Sequence, residues 1–321
     1  MHIFSTGGTT EVTHRRGGTA ADIAHSLGDA SREGRSRRCR CPLHGGRSLT
    51  LRDGDGGRLL VTCWGGCERL DVLAELRRLK LVGGASGYRP ITTPRTDSSV
   101  RDAERTARAV SIWRAARPIA DTPAERYLNS RGIAVRNLPT EQGASLRFHP
   151  SCPHPSGTKL PAMVALVVRE GVGAVAVHRT YLLADGSGKA DVAPDKANLG
   201  PIGGGAVRFG MPREGEWIAV AEGIETALSI ATACAMRVWA ALSEGGIRRL
   251  VLPPEATHLA ICADHDTSGV GERAALEAAQ RWLAQGRRVK IALPPEPDTD
   301  FNNVLNSASP DDVDEEARHV A

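Results

Sequence analysis

The chain has 321 residues and 34.1 kDa, 41% hydrophobic and 24% charged, which allows a buried core and two or three domains. No run of 18 apolar residues and no apolar signal-type segment occurs, which excludes a membrane-spanning helix and points to the cytoplasm; there seven cysteines read as reduced thiols or metal ligands, not a disulfide framework. The net charge of +4 hides a split, with 14 basic against 9 acidic residues over 1–80, 17 against 10 over 81–210, and 10 against 18 over 211–321, a basic front suited to phosphates and an acidic back suited to cations.

In chain order, residues 1–18 lack periodicity and read as a disordered leader. A short helix is expected over 19–27, with Thr19 as N-cap and Gly28 as stop. Cys41-Pro-Leu-His44 and Cys63-Trp-Gly-Gly-Cys67 then form two close pairs separated by 18 residues, the donor set and spacing that tetrahedral Zn²⁺ requires. Between them, 48–51 and 58–62 flank Asp53-Gly-Asp-Gly-Gly57 and read as two short strands around a turn. The layout is a zinc ribbon occupying 19–82. Cys39 is an alternative first ligand, less favoured because Cys-x2-His fits one knuckle better. Arg35, Arg37, Arg38, Arg40 and Arg47 put positive charge beside the ribbon, with Arg38 and Arg47 as candidate template contacts. Leu70, Leu73, Leu76, Leu79 and Leu81 give a helical stripe, and the Gly/Pro/Ser/Thr-rich stretch 83–100 reads as a linker.

A basic α+β segment is expected over 101–212, with helices at 103–117 and 123–131 and strands at 162–169 and 173–183. From 217 to 294 strands and helices alternate: strands at 217–221, 237–242, 258–263 and 288–293, helices at 225–235 and 272–284. The strands are continuously apolar, which argues for a parallel sheet covered on both faces. Glu222 ends the first of these strands, Asp264 and Asp266 follow the third, and Asp298 and Asp300 follow the last. Open α/β sheets bind ligands at the carboxyl ends of their strands, and carboxylates converging there call for a hard divalent cation, Mg²⁺ or Mn²⁺, and phosphoryl-transfer chemistry. Residues 213–306 form this unit and 307–321 an acidic tail.

The runs AVAEGIETAL, ICADHDTSG and PDTDFNNVL resemble the Glu, Asp-x-Asp and trailing Asp motifs of a Toprim domain, in the form found in phage and plasmid primases. CRCPLHGGRSLTLRD and LLVTCWGGC resemble the zinc-binding domain that precedes Toprim in DnaG-type primases. TPAERYLNSRGI, VHRTYLLADGSGKA and KANLGP resemble the segment before Toprim in phage and plasmid primase-like proteins, and the resemblance spans about 19–306. It implies an α/β protein with an N-terminal zinc ribbon, a mixed α+β middle and a C-terminal Toprim domain. By resemblance Glu222 takes an acid/base or metal role, Asp264 and Asp266 hold Mg²⁺, and Asp300 with Asp298 completes the site. Lys196, Arg179 and His178 would meet nucleotide phosphates or template. The implied reaction joins ribonucleoside triphosphates into short RNA primers on single-stranded DNA. Two positions depart from the pattern: Asn303 stands where relatives commonly have Asp, and Thr226 where the replicative enzymes have Asp, with Glu225 beside it as a candidate compensating acid that, on a helix, points elsewhere.

Tyr88, Tyr127 and Tyr181 all precede the Toprim motifs, which removes a topoisomerase with a downstream tyrosine nucleophile. No Gly-x4-Gly-Lys-Ser/Thr loop occurs, so a helicase partner would be a separate chain. Only 12 aromatic residues are present (5 Trp, 3 Tyr, 4 Phe), favouring backbone contacts over base stacking. The competing readings are a Toprim nuclease and a non-catalytic zinc/Toprim DNA-binding factor in recombination or repair.

Overall fold

The computed structural model describes residues 18–54, 58–63, 67, 69–82, 98–134, 145–265 and 269–307. Residues 1–17 of the expected leader, 83–97 of the expected linker, 308–321 of the tail, the turn at 55–57 and Asp266 lie outside the described residues. The chain divides into two compact units, Met1–Ile91 and Thr92–Ala321.

The first unit opens with α1 (Ala20–Leu27), started by a reciprocal cap in which Thr19 Oγ1 accepts from the Asp22 N–H and the Asp22 carboxylate accepts from the Thr19 N–H. A four-stranded antiparallel sheet follows in sequence order: β1 (Ser31–Glu33), β2 (Ser36–Cys39), β3 (Leu49–Gly54) and β4 (Arg58–Cys63). The β3–β4 hairpin is the expected one, with Thr50 opposite Thr62 and Leu51 opposite Val61. Strand alternation sends Leu49 and Leu51 inward and Arg52 outward. The inner face packs with Ile23 and Ala24 of α1 and with Val72 and Leu76 of α2 (Arg69–Arg78). The β1–β2 hairpin was not anticipated, because Ser-Arg-Glu and Ser-Arg-Arg-Cys carry no apolar alternation.

The second unit begins with α3 (Ser98–Ala115), β5 (Arg117–Pro118) and α4 (Pro123–Ser130), followed by β6 (Leu146–Pro153), β7 (Lys159–Arg169), β8 (Gly173–Tyr181), β9 (Lys196–Leu199) and β10 (Gly205–Phe209). Strand and helix then alternate: β11 (Trp217–Ala221), α5 (Ile224–Cys234), β12 (Arg237–Ala240), α6 (Glu244–Arg249), β13 (His258–Cys262), α7 (Val270–Ala284), β14 (Arg288–Ala292) and α8 (Phe301–Ser307). One ten-stranded sheet runs β14-β13-β11-β12-β10-β7-β6-β5, with β8 on β7 and β9 on β8. β11 is parallel to both β12 and β13, and β13 is parallel to β14. β10 joins antiparallel to β12 on one side and β7 on the other, so the middle segment and the parallel strands share one sheet.

Both faces of β11, β12 and β13 are covered, as their apolar sequences require, whereas β14, at the sheet edge with Arg288 and Lys290 in its text, is largely exposed. Ala219, Ala221, Val238 and Ala240 point to the layer holding Ile224, Leu228 and Ile230 of α5. Ile218, Val220, Trp239 and Ile261 point to the opposite layer, with Ile247 of α6 and Ala275, Ala278 and Trp282 of α7. The chain leaves β11 through α5 to β12 on one side, then returns through α6 to β13 on the other. Its topological switch therefore falls between β11 and β13, the place where open α/β sheets bind ligands.

Candidate active site and metal centre

In the first unit the ligand atoms of Cys41, His44, Cys63 and Cys67 all lie within 4.8 Å of one another. Cys41 and His44 follow β2, where the Cys41 N–H donates to the Gly46 carbonyl and the Gly45 N–H to the Cys41 carbonyl, curling the knuckle. Cys63 ends β4, so the hairpin register delivers the second pair. The Cys41 and Cys67 sulfurs are 3.9 Å apart, against the ~3.8 Å that tetrahedral Zn–S bonds of about 2.3 Å impose. His44 Nε2 is 3.2 Å from Cys63 Sγ, and the Ser48 hydroxyl reaches both, at 2.9 and 3.6 Å. Thiols so crowded do not ionise together without a cation: the hydrogen bond from Cys41 holds Cys63 down to about 3, and the same bond, aided by burial, drives Cys41 up. Three sulfurs and one imidazole fit Zn²⁺ in number, type and spacing. Cys39 lies outside the group, buried on β2 opposite Leu49, where desolvation pushes its thiol up to about 11. Nearby, Arg38 donates to the Arg47 carbonyl at 3.0 Å and meets Glu33 at 3.5 Å, and Arg47 donates to the Asp29 carbonyl at 3.2 Å.

In the second unit the expected acids arrive at one edge. Glu222 directly follows β11, and its carbonyl accepts from the Leu242 N–H at 2.8 Å at the end of β12. Leu242 holds φ +69°, costly for a branched side chain, and marks this edge as over-determined. Asp264 follows β13, where the Ala263 N–H donates to the Ala292 carbonyl of β14. The segments carrying Asp264 and Asp298 are laced together: the Asp298 N–H donates to the His265 carbonyl at 2.6 Å, the His265 N–H to the Thr299 carbonyl at 3.2 Å, and His265 Nδ1–H to the Pro294 carbonyl at 2.9 Å. Glu222, Asp264, Asp298 and Asp300 thus share the carboxyl edge of three adjacent parallel strands. Among the described residues, no group of three or more carboxylates closes to ligand spacing as the Cys/His set does.

Asp300 has a second role. Its Oδ1 accepts from the Asn302 and Asn303 N–H groups at 2.9 and 2.8 Å, and Asn303 Oδ1 accepts from the Asp300 N–H at 3.0 Å. The pair is a reciprocal cap on α8, so Asn303, a departure from the primase pattern, is the capping partner. Asn302, buried, ties α8 down by donating to the Arg131 carbonyl at 2.7 Å and to Ser229 Oγ on α5 at 2.9 Å.

The basic candidates divide. Arg179, on β8, is buried, and its guanidinium donates to the Pro153 carbonyl at 2.7 Å. His178, its neighbour, meets Asn198 Oδ1 at 2.8 Å, and burial pushes its imidazole down to about 4, so it is neutral at pH 7. Lys196, at the start of β9, has a half-buried side chain and donates to Glu225 Oε2 at 3.2 Å. Glu225 itself is buried, and Tyr127 donates its hydroxyl to Oε1 at 2.9 Å. Sequence reasoning weighed Glu225 only as a stand-in for the acid missing at Thr226 and gave Tyr127 no role. Their partners lie 29 and 98 residues apart, beyond any local pattern.

A parallel sheet with carboxylates along its carboxyl edge places these acids where open α/β domains bind ligands. The chain carries a Toprim domain: residues 217–311 match the Toprim family model, and residues 103–209 match that of a domain of unknown function (DUF7146). A comparison with curated proteins found no match. Among solved structures, the chain is similar to the zinc-binding and RNA polymerase domains of Aquifex aeolicus primase, at 16% identity over 95% of this chain and 83% of that one, TM-score 0.44. It is similar to a DnaG primase catalytic domain bound to ssDNA, at 12% identity over 68% and 82%, TM-score 0.45. The primase fragment of the bacteriophage T7 primase-helicase protein matches at 18% identity over 57% and 71%, TM-score 0.38.

Proposed function

We propose that this chain is a primase-type nucleotidyltransferase that joins ribonucleoside triphosphates into short RNA primers on single-stranded DNA. The observation that supports the reading is the carboxyl edge itself, where Glu222, Asp264, Asp298 and Asp300 follow adjacent parallel strands of a Toprim domain. These oxygen donors, with Asp266, suit Mg²⁺ or Mn²⁺ in kind. Such an ion supplies charge neutralisation on the triphosphate and the leaving pyrophosphate. The residues of the chain do the rest. Lys196 takes a phosphate oxygen, Arg179 and His178 brace β8 behind it, and Glu222 accepts the proton of the attacking 3′-hydroxyl. The edge holds the reacting groups in line, so catalysis rests on positioning and fixed electrostatics. The zinc ribbon over 19–82, with Arg38 and Arg47, and the basic segment over 101–212 hold the template by phosphate contacts that weaken with salt. Residues 213–306 form the catalytic part, and a helicase is a candidate partner. The cytoplasm supplies the ribonucleotides; no described helix is long and apolar enough to cross a membrane.

A single-stranded template with labelled ribonucleotides and Mg²⁺ or Mn²⁺ tests the reading. Short RNA products are expected, and Asp264→Ala is expected to lower their yield at least 100-fold without loss of fold. Full activity in that variant rejects the metal assignment, and shortened template identifies a nuclease instead. The capping role of Asp300 favours one second reading, a non-catalytic DNA-binding factor whose acidic edge is structural; retained template with no product supports it.

A further inference from the structure

Glu225 sits in the first turn of α5, the helix that opens just beyond Glu222, and its side chain is buried in the protein. Burial opposes its charged form, but the Lys196 and Lys189 ammoniums and the Tyr127 hydroxyl outweigh burial and hold the carboxyl down to about 2. It is therefore an anion at pH 7 with Tyr127 on one oxygen and Lys196 on the other. Lys196 answers it: burial lowers its proton affinity, Glu225, with Lys189 and Asp195, more than restores it, and the net direction is up. Lysine ammonium has three N–H donors. Glu225 takes one, and about a third of the Lys196 side chain stays open to solvent.

The other charged groups around the pair are arranged by element. From the segment between β8 and β9, Lys189 and Asp195 form their own pair at 3.4 Å, and Lys189 is lowered by burial and by Lys196. From α4 and the turn after it come Tyr127, which burial pushes up beyond the range where it ionises, and Arg131. From β8 come His178, neutral, and Arg179, committed to the Pro153 carbonyl. Lys196 and Lys189 are equally open to solvent, but the base that holds Lys196, Glu225, is buried and bonded to Tyr127, whereas Asp195 is exposed.

We propose that Glu225 is a positioning residue for Lys196: clamped by Tyr127, it keeps the Lys196 ammonium charged and in place at the meeting of β9 and α5, so that its remaining donors take one oxygen of a phosphate group. A free lysine on four rotatable carbons would give up that much freedom on binding, a cost the clamp removes in advance. The inference rests on the reading of Lys196 as a phosphate contact, and it gives the two lineages of the sheet, the segment before Toprim and Toprim itself, a shared binding group. The phosphate belongs to a nucleoside triphosphate or to the DNA strand.

The test uses the full chain labelled with ¹³C-lysine; Lys80, Lys159, Lys189, Lys196 and Lys290 are its five lysines, and Lys196→Arg assigns the resonance. In the wild type Lys196 is expected to titrate above the ordinary lysine value of about 10.4 and Lys189 below it. In Glu225→Gln, which keeps an acceptor for Tyr127, Lys196 is expected to fall by at least one pH unit. Binding of Mg-ATP and of a fluorescent oligo(dT), each titrated from pH 7 to 10, is expected to lose its alkaline limb earlier in that variant, by about twofold at pH 9.5, with partial rescue in Glu225→Asp. Loss confined to ATP assigns the triphosphate, and loss confined to oligo(dT) assigns the strand. A wild-type Lys196 titrating at or below the ordinary value overturns the proposal even if Glu225→Gln fails to fold. Unchanged resonance and limb in a folded Glu225→Gln overturn it as well. Lys196→Gln binding both ligands as tightly as wild type instead rejects the phosphate reading beneath it.

Discussion

Cys63→Ser removes one corner of the Cys41–His44–Cys63–Cys67 set and measures what the metal contributes to the first unit. That unit has a small core, in which Ile23, Leu49, Leu51, Val61, Val72 and Leu76 are the buried aliphatic side chains beyond alanine. A domain of this size gains only about 3–5 kcal/mol from such a core. A structural Zn²⁺ contributes about 10–16 kcal/mol of apparent binding energy at pH 7, and losing one of four ligands removes roughly a quarter of it, about 3–4 kcal/mol. The two figures are equal within their spread, so the variant is expected to bring the unit to the edge of unfolding while the second unit keeps its fold. Serine is nearly isosteric but is a poor ligand, since its hydroxyl does not ionise near neutral pH. Metal analysis of fresh full-length protein is expected to find about one zinc per chain, falling steeply in Cys63→Ser. Limited proteolysis is expected to cut the variant within 19–82 first, and a chelator to reproduce that pattern in the wild type. Wild-type protein without zinc, or a variant with wild-type protease resistance, refutes the ribbon assignment.

Asp300→Ala removes the acceptor for two N–H groups of α8 and is expected to cost about 1 kcal/mol in thermal unfolding; Asn303→Ala removes the reciprocal half and is expected to cost less. If primer synthesis falls far more in Asp300→Ala than in Asn303→Ala, Asp300 acts beyond its cap; equal losses leave it a cap alone. Glu225 is depressed from about 4.5 to about 2, so its stabilisation is complete above pH 4.5 and is lost as pH falls toward 2. Acid titration of stability is expected to show a step of up to roughly 3 kcal/mol in that window, absent in Glu225→Gln. Gly246→Ala drives a Cβ into the Ala241 carbonyl at the end of β12. It is expected to cost about 2–3 kcal/mol and to disturb the Leu242–Glu222 backbone bond; an unfolding midpoint equal to wild type would show that the α6 turn adjusts freely.

What was legible in the sequence follows from how each feature is encoded. The Cys/His spacing and the Asp53–Gly57 turn are local, and the cluster they indicated is closed by the β3–β4 register. The parallel strands are legible because burial on both faces demands unbroken apolar text, and their carboxyl ends are then fixed by direction alone. Strands β1 and β2 were missed because their text carries no apolar alternation, and β5, β6, β9 and β10 because their signal is weak until the sheet supplies neighbours: β6 carries Pro150 and Pro153 and a register shift between His149 and Cys152, a poor strand signal by itself. Asn303 shows a signal misread. Asp300-Phe-Asn-Asn303 has the spacing of a reciprocal helix cap, visible in the sequence, but against a family pattern it reads only as a missing acid. Glu225 shows the opposite limit. Nothing near it in sequence distinguishes a surface acid on a helix from a buried one, and its character comes from Tyr127 and Lys196, brought by α4 and β9. The residues that line a sheet edge are thus written into strand order, whereas the charge state of a buried acid is written only in which strands the sheet recruits beside it. That is why β10, which pairs with β12 and carries the earlier segment onto the Toprim strands, determines whether Lys196 has a counter-ion at all.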